Sequence, residues 1–312
     1  MSCNCTISRA LVVILFSVGQ VLAADTTIRL PGYEAVPMRY GRLNRILMRA
    51  TVNGHTANLT VDTGAGLSVL DAKRAQAFGV ALTGPNSPYG EYKILNDRSF
   101  RVGVIDSLKA GSMDFGRGPI ALLGRGNFSL SSRLAGLDID GLFGADILTR
   151  YKAVINCGTN EIFFKVDPSC RLHLARFALS QHFTKIPLRE EVGRGFTVPC
   201  SINGHPIRLL VDTGTPLTTF SQTIVKSAGI SFQGIRWTTT FSDGVARQLS
   251  VGRLNQLMIG NFRVPPQRLL ATVLPTFAVE QGSAQEDGLL GVDLLASNYA
   301  IIDFDSMSLF LK

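Results

Sequence analysis

Long apolar runs are scarce in this chain of 312 residues, and blocks of like charge are absent. The apolar run near the start, Ala10 to Phe16, falls short of the roughly 20 residues a membrane-spanning helix needs, and Gln20 interrupts its continuation. A transmembrane anchor is therefore not expected. Lys and Arg total 31 against 23 Asp and Glu, a formal net charge of +8, yet no run of five basic residues occurs. Dispersed positive charge describes a solvated surface rather than a nucleic-acid tract, so no nucleic-acid partner is expected. Neither His-Glu-x-x-His nor Gly-x-Ser-x-Gly is present, which excludes a zinc-peptidase helix and a serine-nucleophile elbow of those types. Cysteine is sparse, and Cys157, Cys170 and Cys200 stand too far apart in sequence for a zinc cluster. No metal or other cofactor is expected.

What is present begins with an export pattern. Arg9 precedes the apolar run, and Val21, Ala23 and Ala24 provide the small residues a signal peptidase accepts, so residues 1–24 are expected to be a cleaved signal peptide. No cysteine follows them, so acylation as a lipoprotein is not implied. A periplasmic or secreted protein without a stable membrane anchor follows as the expectation. An oxidising compartment permits a disulfide, and Cys170 with Cys200 is the favoured pair because Cys157 adjoins a Gly-Thr-Asn turn. The chain is longer than one core usually serves, and its 46% hydrophobic content with 31 Gly and 13 Pro suits two turn-rich lobes.

The sequence contains itself twice, which sets the domain reading. Val52-Asn53-Gly54-His55 matches Ile202-Asn203-Gly204-His205, and Val61-Asp62-Thr63-Gly64 matches Val211-Asp212-Thr213-Gly214, both pairs 150 residues apart. Alternating apolar residues on either side of each Asn-Gly predict a hairpin whose second strand ends at Asp62 or Asp212. Asp71 and Ser221 are placed to cap short helices that stop at Gly79 and Gly229. Farther on, Asp140-Gly141-Leu142-Phe143-Gly144-Ala145-Asp146 matches Asp287-Gly288-Leu289-Leu290-Gly291-Val292-Asp293. The expected division is an N-terminal lobe at 25–166, a connection at 167–191 and a C-terminal lobe at 192–312. Residues 25–45 are either a short propeptide or a strand joining the lobes. His55 and His205 follow Asn-Gly and are expected to face solvent; Asp146 and Asp293 are expected to start helices.

One Asp-Thr-Gly is an ordinary turn sequence, because all its residues favour turns. Two in register, each followed by a hydrophobic-hydrophobic-Gly element, resemble the aspartic protease superfamily, most nearly retropepsin-type bacterial members joined in tandem as in pepsin-like enzymes. The resemblance runs from about Leu47 to Lys312. It implies an all-β fold with short helices, in which pseudo-twofold-related acid-protease β-barrel lobes place the active site between them. It also implies an aspartic endopeptidase acting on peptide or protein substrates as a monomer, with Asp62 and Asp212 as the catalytic pair. Close carboxyl groups cannot both ionise easily, so one keeps a proton while the other takes one from water.

By the same resemblance, Thr63 and Thr213 tie the active-site loops together, Gly64 and Gly214 admit the close approach, and Thr215 donates to Asp212 where Ala65 cannot donate to Asp62. Leu142-Phe143-Gly144 and Leu289-Leu290-Gly291 are implied to flank the loops. Flaps are placed at Ile94 and Leu95 in the first copy and at Phe241 and Ser242 in the second, with Tyr92 as the substitute for a missing flap tyrosine. Apolar flap tips imply a preference for hydrophobic residues around the scissile bond. Two alternatives accompany this reading: a proteolytically silent peptide-binding protein of the same fold, and an obligate dimer of half-sites.

Overall fold

Asn53-Gly54 and Asn203-Gly204 organise the two copies, because all four residues adopt left-handed backbone, with φ of 48° and 83° in the first pair and 48° and 81° in the second. Successive positive φ values are those of the hairpin turn that matches strand twist. The turns join Ile46–Val52 to His55–Val61 and Gly195–Ile202 to His205–Val211, with Val52 opposite His55 and Ile202 opposite His205. Alternate residues then face one core: Met48, Ala50, Val52, Ala57, Leu59 and Val61 are all buried. The structure, a computed structural model, describes residues 4–5, 30–41, 44–95, 98–123, 139–191, 195–240, 246–254, 256–272 and 287–312.

Each hairpin receives a strand from much later in its own copy. Gly141–Phe143 lies parallel to Leu59–Val61 and antiparallel to Val69–Leu70. Gly288–Leu290 likewise lies parallel to Leu209–Val211 and antiparallel to Thr219–Phe220. Glycine is required at the start of this inserted strand. A Cβ on Gly141 would collide with the Val69 carbonyl, and one on Gly288 would sit 2.7 Å from that of Thr219. Short helices follow, at Ala72–Ala77, Ala145–Arg150, Gln222–Ser227 and Val292–Ser297. Asp71 caps the first by accepting from the Lys73 and Arg74 amides. Ser221 occupies the matching position without a side-chain capping bond.

Among the described residues the two large sheets have fourteen and ten strands, and the larger contains the junction between lobes. Across that junction run Thr184–Pro187, Ser308–Leu311, Ile301–Asp303, Val154–Asn156, Glu161–Lys165 and Tyr33–Tyr40, in that order. Its centre is the pairing of Ile155 with Ile302, both fully buried. Residues Tyr33–Tyr40 are thus a strand of the lobe junction, held by buried Tyr33, Val36 and Met38. The architecture is mostly strands with short helices, in two lobes built from the repeated copies.

The cysteine expectation is corrected. Cys170 is disulfide-bonded, whereas Cys157 and Cys200 are free and buried, so Cys170 and Cys200 are not paired. They belong to different cores: Cys200 packs with the hairpin residues Val198 and Ile202, and Cys170 with Leu30, Tyr33 and Leu174. Of the expected signal peptide, only Asn4–Cys5 is among the described residues, as a short strand beside Arg171–Leu172. Among the described residues, no helix is long and apolar enough to cross a membrane.

Candidate active site

Asp62 and Asp212 emerge at the ends of equivalent strands, and their amides are held alike: Asp62 N–H donates to the Phe143 carbonyl and Asp212 N–H to that of Leu290, both at 3.0 Å. The inserted strand therefore sets where each loop begins. The loops then curl back on their own carboxylates. Gly64 and Ala65 amides donate to Asp62 Oδ1 at 3.0 Å each, and Gly214 and Thr215 amides to Asp212 Oδ1 at 2.9 and 3.1 Å.

Threonine locks the loops to each other. Thr63 Oγ1 accepts from the Thr213 amide at 3.1 Å and donates to the Val211 carbonyl at 2.6 Å. Thr213 Oγ1 accepts from the Thr63 amide at 3.0 Å and donates to the Val61 carbonyl at 2.8 Å. Both threonines are fully buried, so these bonds have no water to compete with them.

The lock brings each glycine against the opposite aspartate. A Cβ on Gly64 would lie 2.8 Å from Asp212 Cγ, and one on Gly214 would collide with Asp62 Cγ. Burial, then the neighbouring Asp212 carboxyl group, raise Asp62 well above the usual carboxylate range, opposed by Arg45 and the Gly64 amide. The loops differ in one donor: Thr215 Oγ1 donates to Asp212 Oδ2 at 2.6 Å, and the corresponding Ala65 has no hydroxyl. This arrangement favours a protonated Asp62.

Comparison with known proteins agrees with this geometry. The family model described as Aspartyl protease matches residues 48–147 and 198–294, more than half of the chain in two tandem stretches. The chain belongs to the aspartyl protease family. This aspartyl protease also resembles in fold the crystal structure of aspartic proteinase from Irpex lacteus, at 16% identity and a TM-score of 0.50, over 89% of this chain and 96% of that one. No curated protein sequence matches it. As a member of the family it is an aspartic-type peptidase. Among the described residues, no group of three or more His, Cys, Asp or Glu is placed to hold a metal ion.

The flap positions divide. Tyr92–Leu95 pairs with the start of Arg98–Ala110, Leu95 opposite Arg98, which makes a hairpin around residues 96–97. Ile94 is 77% exposed, and Tyr92, with Arg101 stacked 5.6 Å from its ring centre, is 50% exposed. In the second lobe Phe232–Thr240 pairs with Ala246–Leu254 around residues 241–245, so Phe241 and Ser242 lie outside the described residues. His55 and His205 are exposed, His55 stacked on Phe78.

Several positions with a part in the site escaped the sequence reading. Asp146 and Asp293 lie in the first turns of their helices, and they also anchor the active-site loops. Asp146 Oδ1 accepts from Ser68 Oγ at 2.6 Å and Asp293 Oδ1 from Thr218 Oγ1 at 2.7 Å. Those hydroxyls in turn accept from the Gly144 and Gly291 amides at 2.9 and 3.0 Å. The signal was in the repeat, where Ser68 aligns with Thr218. Arg45 was also missed: its Nη1 donates to the Gly214 carbonyl at 2.7 Å, from one lobe to the other.

Proposed function

We propose that this peptidase is an endopeptidase in which Asp62 and Asp212 act together on one water and one peptide bond. The observation that carries the reading is the reciprocal close approach of each loop glycine to the opposite aspartate. Ionised Asp212, held by the Gly214 and Thr215 amides and the Thr215 hydroxyl, takes a proton from the attacking water. Protonated Asp62 donates a hydrogen bond to the scissile carbonyl as its oxygen gains negative charge. The tetrahedral adduct then collapses with a proton passed to the leaving amine, giving a carboxylic acid and an amine.

Specificity for large hydrophobic residues is supported by exposed Ile94 on the first-lobe hairpin, an apolar surface that substrate would cover. With both carboxyl groups in one chain, a monomer completes the site. The leader pattern supports release to the periplasm or the medium. The test is incubation of the protein lacking residues 1–24 with a mixed peptide library from acidic to neutral pH, with cleavage read by mass spectrometry. Internal cuts flanked by large hydrophobic residues, lost in Asp62→Asn and in Asp212→Asn, are expected. Either variant retaining activity within tenfold of wild type would sink the proposed pair, and cuts clustered at Lys, Arg or acidic residues would sink the specificity.

A further inference from the structure

Positions 45 and 195, 150 residues apart, meet opposite active-site loops, one as arginine and the other as glycine. In the first lobe the turn between Tyr33–Tyr40 and Ile46–Val52 is closed by the Gly41 amide on the Arg45 carbonyl at 2.8 Å, with Asn44 at φ 53°. From it Arg45 crosses to the second lobe and donates to the Gly214 carbonyl. The repeat places Gly195 at the matching position. Gly195 has φ +110°, and a Cβ there would be 2.8 Å from the Thr63 carbonyl, so position 195 itself brings no side chain to the first loop.

Arg45 is held where a structural role alone does not account for it. Its Nε is buried with no partner among the described residues, a state proteins generally avoid for a donor. Its charge is attracted by Asp62 and Asp212, which offsets the burial that disfavours a guanidinium there. The ionisable groups acting on Asp62 are Asp212 and Arg45. On the matching turn, Glu191 is occupied by Arg208 at 3.5 Å and Arg189 at 3.7 Å.

We infer that Arg45 is a positioning residue for the reaction: its guanidinium holds the carbonyl of Gly214, the glycine packed against Asp62, and compensates the negative charge of the aspartate pair. This rests on the peptidase reading of that pair. Arg45 favours the ionised forms, so it places both limbs of the pH–rate profile at lower pH than the carboxyl groups alone would.

The experiment compares kcat/KM against pH for wild type, Arg45→Met, Arg45→Gln and Arg45→Lys on one peptide. Both limbs are expected to move up by about one pH unit in the Met and Gln variants and to stay near wild type in the Lys variant, which keeps the charge. Arg45→Gln keeps a donor for the Gly214 carbonyl and carries the test if Arg45→Met fails to fold. Unmoved limbs in the uncharged variants, or an equal shift in Arg45→Lys, would overturn the inference while leaving the aspartate pair intact. Thermal unfolding against pH reads the same interaction without substrate. The loss of stability as Asp62 ionises is expected to extend to higher pH in Arg45→Gln than in wild type, and coincident curves would overturn the inference even for an inactive protein.

Discussion

Thr63 and Thr213 exchange hydrogen bonds across the two lobes, each hydroxyl accepting from the other's amide and donating to the valine carbonyl that precedes the other's aspartate. Threonine and valine have nearly the same shape, so Thr63→Val or Thr213→Val removes the bonds without opening a cavity. Each leaves one buried amide and one buried carbonyl unpaired, at about 1–3 kcal/mol apiece, so a loss of about 2–5 kcal/mol is expected in urea unfolding. The two losses are expected to match, and the double variant to lose less than their sum. A change below about 1 kcal/mol would show that the interlock does not hold the lobes.

Gly64 and Gly214 lie where any Cβ meets the opposite carboxyl group. Gly64→Ala and Gly214→Ala are expected to push the aspartates apart and lower kcat by roughly 100-fold or more, with KM less affected. The effect is expected to be larger at Gly214, where the approach is closer. Activity within a few-fold of wild type in both variants would refute the close approach.

Asp62 contributes a pH dependence to stability. Its folded pKa is raised, so the folded state holds the proton more tightly than the unfolded chain does. That contribution is complete below the unfolded value of about 3.9 and is lost as pH rises through the higher folded value. Asp62→Asn removes the ionisation. Its Tm is expected to equal wild type near pH 4 and to exceed it by several degrees near pH 8, at roughly 2–4 °C per kcal/mol. A gap that stays constant across that range would contradict the raised value.

The hydroxyl on Asp212 has no counterpart on Asp62. A negative oxygen accepts the Thr215 bond more strongly than a neutral one, so Thr215→Ala is expected to move the acidic limb of kcat/KM against pH upward. Ala65→Thr, which adds the missing donor, is expected to move it down. An acidic limb that is unmoved or lower in Thr215→Ala would remove the proposed asymmetry.

Much of this was open to sequence reading because local chemistry and the repeat point the same way. Asn53-Gly54 and Asn203-Gly204 specify turns, apolar alternation specifies which strand face is buried, and the 150-residue register identifies Asp62 with Asp212. The shared roles of Ser68 and Thr218 were also in that register, but a hydroxyl beside a helix start has many local uses, and only the bonds to Asp146 and Asp293 single one out.

The sequence by itself determined the hairpins and the strands that end in Asp-Thr-Gly, because turn preferences and apolar alternation are local, and its 150-residue repeat matched Asp62 with Asp212; the all-β two-lobed fold was what the resemblance of those motifs implied. The tertiary structure alone decided that Cys170 and Cys200 sit in separate cores, that residues 33–40 form a junction strand, and that Arg45 reaches Gly214. Those facts depend on which surfaces meet when one lobe packs on the other. Arg45 and Gly214 are 169 positions apart, and no local preference of either residue encodes their contact.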